Sequence, residues 1–225
     1  MIHRTVARPS RRTHSSPPLS ALPEYYSLMR NLAGTPTSPV IRSICVTSSK
    51  SGEGVSTVAL QCAIAAHQLF SQPVLLVEAN AARPSLHRTL KLERGPGFGD
   101  LLLDAEPRES CVQALTENLL VATPGNADVR LLRQCSAHAI ARTVSSLHEG
   151  HRLTVWDLPH VAPDNLSLEL AAELDGVLLV VESEGVLTDV AQEAVAQLRA
   201  SGAKLLGVVL NKHREHLPRW LASRL

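Results

Sequence analysis

Ile44-Cys45-Val46-Thr47-Ser48-Ser49-Lys50-Ser51-Gly52-Glu53-Gly54-Val55-Ser56-Thr57 decides how this chain folds. An apolar run, a polar loop with two glycines and a helical pattern follow one another without a break. The helical pattern covers 57–70, where Ala59, Cys62, Ala63, Ala66 and Leu69 recur at helix spacing. Strand, glycine loop and helix make a geometry that binds phosphate. Successive backbone N–H groups converge on the anion, and the helix amino terminus adds a partial positive charge. Gly52 and Gly54 permit a backbone approach that side chains would block. The loop therefore predicts a phosphate cradle built from Ser51, Gly52, Glu53, Gly54, Val55, Ser56 and Thr57. The Ser56 hydroxyl stands where such loops meet magnesium.

The same alternation continues on both sides of the loop. Aliphatic runs predict strands over 41–46, 73–77, 119–122, 153–156, 176–181 and 205–210. Helical spacing predicts helices over 24–32, 57–70, 136–148, 166–174 and 188–200, with a shorter one over 100–103 after Gly95-Pro96-Gly97-Phe98-Gly99. In the first of them Tyr25, Leu28 and Leu32 share a face. Strands that alternate with helices in this way predict an α/β fold, a doubly wound and mainly parallel sheet flanked by helices. Ligands of such sheets bind at the carboxyl ends of the strands.

Composition agrees. At 225 residues the chain suits one ordinary domain, and 44% hydrophobic residues against 3% aromatic ones call for a core of Leu, Val, Ala and Ile. A formal net charge of +1 gives no case for nucleic acid, which is not expected as a partner. Cys45, Cys62, Cys111 and Cys135 lie far apart with no Cys-x-x-Cys pair, so reduced thiols in a cytoplasmic protein are expected. No apolar run has membrane-spanning length. The cluster Lys212-His213-Arg214-Glu215-His216 reads as solvated surface.

The boundaries that follow are a disordered basic tail over 1–23, rich in Arg, Ser and Pro; a helix and linker over 24–40; the α/β domain over 41–212; and a basic amphipathic tail over 213–225. At this end of the chain Lys212, which closes the domain, and Arg214, Arg219 and Arg224 of the tail surround Leu217, Trp220, Leu221 and Leu225, a pattern that suits a membrane surface, a partner or the domain itself.

One residue of the loop is out of place. P-loop nucleoside triphosphatases end this motif Gly-Lys-Ser/Thr, where the lysine contacts the terminal phosphates, and here Val55 follows Gly54. A charge-assisted hydrogen bond is worth about 1.5–3 kcal/mol, so its loss weakens phosphate binding while the backbone donors remain. Lys50 sits five residues before Val55, where the MinD and ParA ATPases carry a signature lysine. That resemblance implies a charge delivered in trans across a dimer; a solvent-exposed loop lysine is the alternative.

From Glu24 to the C-terminus the chain resembles the cytoplasmic bacterial tyrosine kinases (BY-kinases) of polysaccharide synthesis and export, relatives of MinD and ParA. Glu24, Ser27 and Arg30 fall on their E-x-x-R-x-x-R oligomerisation helix, with Ser27 in place of the first arginine. Val74-Leu75-Leu76-Val77-Glu78-Ala79-Asn80-Ala81-Ala82-Arg83-Pro84 resembles their second acidic motif V-D-x-D-x-R-x-P, with both aspartates altered and Ala82 at the arginine position. Val155-Trp156-Asp157-Leu158-Pro159-His160 resembles the Walker B strand end, and Gly207-Val208-Val209-Leu210-Asn211 the last strand, whose asparagine lies by the nucleotide base.

The resemblance implies ATP or ADP with Mg2+ as cofactors. It places Lys50, Glu78 and Asp157 in catalysis, Ser56, Glu78 and Asp157 on the metal, and Ser51 through Thr57 with Asn211 on the nucleotide. It implies a membrane-bound polysaccharide copolymerase or chain-length regulator as partner, a homo-oligomer through 24–32, and a place at the inner face of the membrane through that partner. Val55, Asn80, Ala82 and the absence of a tyrosine cluster from 212–225 together imply impaired catalysis and a regulatory or assembly role. The alternative is an active protein-tyrosine kinase, or a MinD/ParA-like ATPase, in which Lys50 replaces the loop lysine.

Overall fold

A computed structural model describes residues 20–33, 40–163, 166–183 and 188–212. Most of the N-terminal tail, most of the linker after 33, and the C-terminal tail lie outside the described residues. In chain order the elements are α1 (Pro23–Ala33), β1 (Ser43–Ser48), α2 (Val55–Leu69), β2 (Val74–Glu78), α3 (Leu86–Thr89), α4 (Phe98–Leu102), α5 (Arg108–Cys111), β3 (Gln113–Ala114), β4 (Leu119–Ala122), α6 (Val129–Leu132), α7 (Ala137–His148), β5 (Leu153–Asp157), α8 (Ser167–Glu173), β6 (Gly176–Glu182), α9 (Thr188–Ala200) and β7 (Leu205–Asn211).

The strands form one seven-stranded sheet in the order β3-β4-β2-β5-β1-β6-β7. Every pairing is parallel except the short β3–β4 ladder at one edge. Both faces of the central strands are covered, which is why they read as unbroken aliphatic runs rather than alternating ones. Cys45, Leu75, Val77, Trp156, Val177 and Leu179 face a core closed by α4, α6, α7, α8 and α9. Ile44, Val46, Leu76, Val155, Leu178 and Val180 face the opposite core under α1 and α2. Trp156 and Phe98 meet edge to face at 5.4 Å and anchor the first of these cores.

The expected elements are present, β4 and α9 with the expected ends and the others with ends shifted, and several of the strand shifts have a visible cause. β1 begins two residues later than the apolar run because the N–H groups of Arg42 and Ser43 donate to the Asp175 carboxylate at 2.7 and 2.9 Å. It then continues through Thr47, whose hydroxyl donates to the Pro159 carbonyl at 2.6 Å. Proline has no N–H to give a ladder, and β2 starts at Val74, after Pro73. β2, β5, β6 and β7 each run one residue past their aliphatic run, to Glu78, Asp157, Glu182 and Asn211. The polar ends of four strands thus gather along the carboxyl edge of the sheet. The helices α3, α5 and α6 have four residues each, too few to show a helical period.

The helix α1 packs on α2. Its innermost residue is Met29, 1% exposed, and Tyr25, Tyr26, Leu28 and Leu32 pack around it against the core. Leu22 N–H also donates to the Gln61 side chain of α2 at 2.9 Å. Glu24, Ser27 and Arg30 face outward.

Candidate functional site: the phosphate loop and its cleft

The chain leaves β1 toward β2 on one side and reaches β6, on β1's other side, only after β5. A sheet with such a reversal opens a crevice at the carboxyl ends of its strands. A cleft of about 490 Å³ occupies that position. Ser51, Gly52, Gly54, Val55, Ser56 and Thr57 form one wall, and Asn80, Ala81, Ala82, Arg83 and Ser85 another. Arg133, Pro159 and His160 also border it.

The loop is held from behind by Glu53. This side chain is 1% exposed and turns into the protein. Its Oε2 accepts from the Ser49 hydroxyl at 2.9 Å and the Lys50 N–H at 2.8 Å. Its Oε1 accepts from the Glu182 N–H at 2.9 Å, and its carbonyl from Asn211 Nδ2 at 2.8 Å. Ser48 closes the bend by donating to the Lys50 carbonyl at 2.7 Å. Glu53 and Asn211 thus bind the loop to the ends of β6 and β7, and neither borders the cleft. Gly52 and Gly54 have φ of 95° and 94°, in the left-handed region that glycine alone enters without strain. Gly54 has a second constraint, since a Cβ there would lie 2.3 Å from Asn211 Nδ2.

Glu78 and Asp157 lie behind the loop rather than on the cleft wall, and both are fully buried. Glu78 Oε1 accepts from the N–H groups of Ser85 and Leu86, at 2.9 Å for Leu86, and so fixes the start of α3. Its Oε2 has no hydrogen-bond partner among the described residues, and neither has either oxygen of Asp157. Burial pushes the Asp157 carboxyl up to about 7; the Ser56 hydroxyl beside it pulls down, and the Glu78 charge adds to the rise. Burial also raises Glu78, against the two backbone donors and the charge of His87.

Asn80 and Arg83 act together in the second wall. Asn80 Oδ1 accepts from the Arg83 N–H at 3.3 Å, shaping the turn after β2. Arg83 Nη1 then reaches across the cleft mouth to donate to the Ser51 hydroxyl at 2.8 Å. The motif alignment puts the missing arginine at Ala82, but a guanidinium does face the loop, one residue later. Arg83 was therefore missed as a site residue. The signal that points to it is the turn itself, where Asn80 Oδ1 holds the Arg83 N–H and the side chain lies over the loop on Ser51. Lys50 takes its place through its backbone, and its side chain does not border the cleft.

Hard oxygen donors suit Mg2+, which keeps several of its waters and relies on few protein ligands plus phosphate oxygens. The Ser56 hydroxyl and the unpartnered oxygens of Asp157 fit that requirement. Among the described residues no group of three or more His, Cys, Asp or Glu is placed to hold an ion.

No protein-family model matches the chain. It is 27% identical over 199 residues to the tyrosine-protein kinase YwqD of Bacillus subtilis, covering 86% of this chain and 84% of that protein. It is 22% identical over 200 residues to the putative tyrosine-protein kinase CapB of Staphylococcus aureus, covering 88% and 87%. Among solved structures, the chimerical protein CapA2B2 superposes with a TM-score of 0.76 at 27% identity, over 85% of this chain and 84% of that one. The septum site-determining protein MinD of Pyrococcus horikoshii, complexed with Mg-ADP, shares the fold with a TM-score of 0.66 at 19% identity, over 81% and 76%.

Proposed function

For a chain that belongs to the BY-kinase branch of the MinD/ParA-like P-loop proteins, we propose a role in capsule or exopolysaccharide synthesis as a nucleotide-binding regulator or assembly partner with impaired phosphoryl transfer. One observation carries this reading: the loop keeps its phosphate-binding shape through Glu53, while Val55 stands where the transferring charge is needed. Shape supports binding. Transfer requires a charge at the reacting phosphate as well.

In this reading the loop amides and the start of α2 hold the phosphates of ATP or ADP. Ser56 and Asp157 hold Mg2+, with Glu78 beside them, and the ion supplies neutralisation of phosphate charge when bound. Asp157 must lose its proton to do so. A protein-tyrosine kinase also needs a base for the attacking hydroxyl, and Asn80 offers no charge and bonds its oxygen to the turn. The partner is a membrane-bound polysaccharide copolymerase or chain-length regulator, which would hold the protein at the inner face of the membrane. No helix among the described residues is long and apolar enough to cross a membrane.

The test is binding of ATP and ADP with Mg2+, followed by turnover, for the native chain, Val55→Lys and Lys50→Ala. The proposal expects native binding with negligible turnover and a gain of turnover in Val55→Lys. Appreciable native turnover that disappears in Lys50→Ala would establish an active enzyme instead.

A further inference from the structure

Resting on that nucleotide-binding reading, we propose that Arg83 holds the terminal phosphates in cis, in place of the loop lysine that Val55 displaces. The cleft needs a cation, because backbone amides alone leave part of a polyphosphate charge uncompensated. Lys50 does not border the cleft. Arg133 and His160 border it, but neither belongs to the loop nor to the turn facing it. Arg83 borders it and already bonds the loop, through Nη1 to Ser51 Oγ at 2.8 Å.

Three features make Arg83 suited to the task. Its backbone N–H is held by Asn80 Oδ1 at 3.3 Å, and its side chain already lies across to the loop at Ser51. Its side chain is exposed, so it can move from the Ser51 hydroxyl to an anion without leaving a buried group unpaired. Guanidinium offers a planar fork of donors that matches two phosphate oxygens at once, which an ammonium cannot do. The Ser51 contact stands in for the first of those oxygens. Arg83 and the loop come from one chain, so this arrangement needs no dimer.

The experiment titrates AMP, ADP and ATP, each with Mg2+, into the full chain. The variants are Arg83→Ala, Arg83→Lys, Lys50→Ala, Val55→Lys and the double variant Arg83→Ala/Val55→Lys, with thermal melts to confirm that each is folded. The expected result is that Arg83→Ala weakens ADP and ATP by roughly ten-fold or more and AMP much less. Arg83→Lys should recover part of the loss, and Val55→Lys in the Arg83→Ala background most of it. Nucleotide binding unchanged in Arg83→Ala, or lost instead in Lys50→Ala, overturns this inference and leaves the nucleotide-binding reading standing. No binding by either the native chain or Val55→Lys overturns both.

Discussion

Glu78 and Asp157 are register partners at the carboxyl ends of the neighbouring parallel strands β2 and β5, and both carboxyls are fully buried. Burial raises both, Asp157 to about 7. A carboxyl whose pKa is higher in the fold than in the unfolded chain binds more protons when folded. Stability is therefore greatest below the ordinary carboxyl pKa and is lost as pH rises toward 7. Urea unfolding without nucleotide should show a stability falling between about pH 4 and 7, by at most about 1.4 kcal/mol per pH unit for Asp157, with Glu78 adding to the fall in the same direction. Asp157→Asn should remove most of this dependence and be more stable than the native chain at pH 8. A native profile that rises with pH would contradict the burial account.

Gly54→Ala places a methyl group against Asn211 Nδ2 at a φ of 94°. We expect a loss of about 1–3 kcal/mol in denaturant unfolding. Adding Asn211→Ala removes the clash but keeps the backbone strain, so the double variant should cost less than the sum of the two singles. Additive losses would show that the two residues do not meet.

Glu53→Ala leaves the Ser49 hydroxyl and the Lys50 and Glu182 N–H groups without their acceptor. An unsatisfied buried donor such as the Ser49 hydroxyl costs about 1–3 kcal/mol, and the half-buried Lys50 and Glu182 N–H groups cost less because water reaches them. The predicted destabilisation is about 2–4 kcal/mol, larger than for Lys50→Ala. Thermal melts of the two variants side by side measure the difference.

The helix α1 turns its apolar side to α2, so Met29→Ala should destabilise the domain by about 2–4 kcal/mol. Glu24 and Arg30 face outward and have no such role. If the homo-oligomer that the family resemblance implies runs through this helix, replacing both with Ala should lower the assembly size in sedimentation velocity and leave the melting temperature within about 2 °C. Loss of stability without a change in size would assign those residues to the fold instead.

The strands and long helices were legible because burial on both faces writes itself as aliphatic runs and helical spacing. Their ends were not, because Asp175, Pro73 and the strand-terminal polar residues set them through hydrogen bonds that no periodicity carries. The strand, glycine loop and helix from β1 to α2 were legible from the apolar run before Gly52 and Gly54 and the helical spacing after them. The loop's support was hidden, since a glutamate between two glycines reads as a residue facing the ligand, and Glu53 faces the strand ends instead. Tyr25, Leu28 and Leu32 marked the buried side of α1 but missed Met29, its centre. Arg83 was overlooked for a related reason: motif spacing counts residues, and a turn selects directions.

The four bonds around Glu53 brace the loop and tie it to β6 and β7, and this bears on how such a site communicates. A loop already fastened to β6 and β7 has little further to travel when a phosphate arrives, and a conformational response requires two states that the ligand tells apart. If the proposed nucleotide binds here, its arrival is expected to move the backbone little. On the proposed reading, what would change is the field: anionic oxygens beside a buried acid pair, and the guanidinium of Arg83 drawn from the Ser51 hydroxyl to an anion. A partner resting against this edge of the sheet would sense a full or empty pocket as charge and side-chain position, not as movement of the fold.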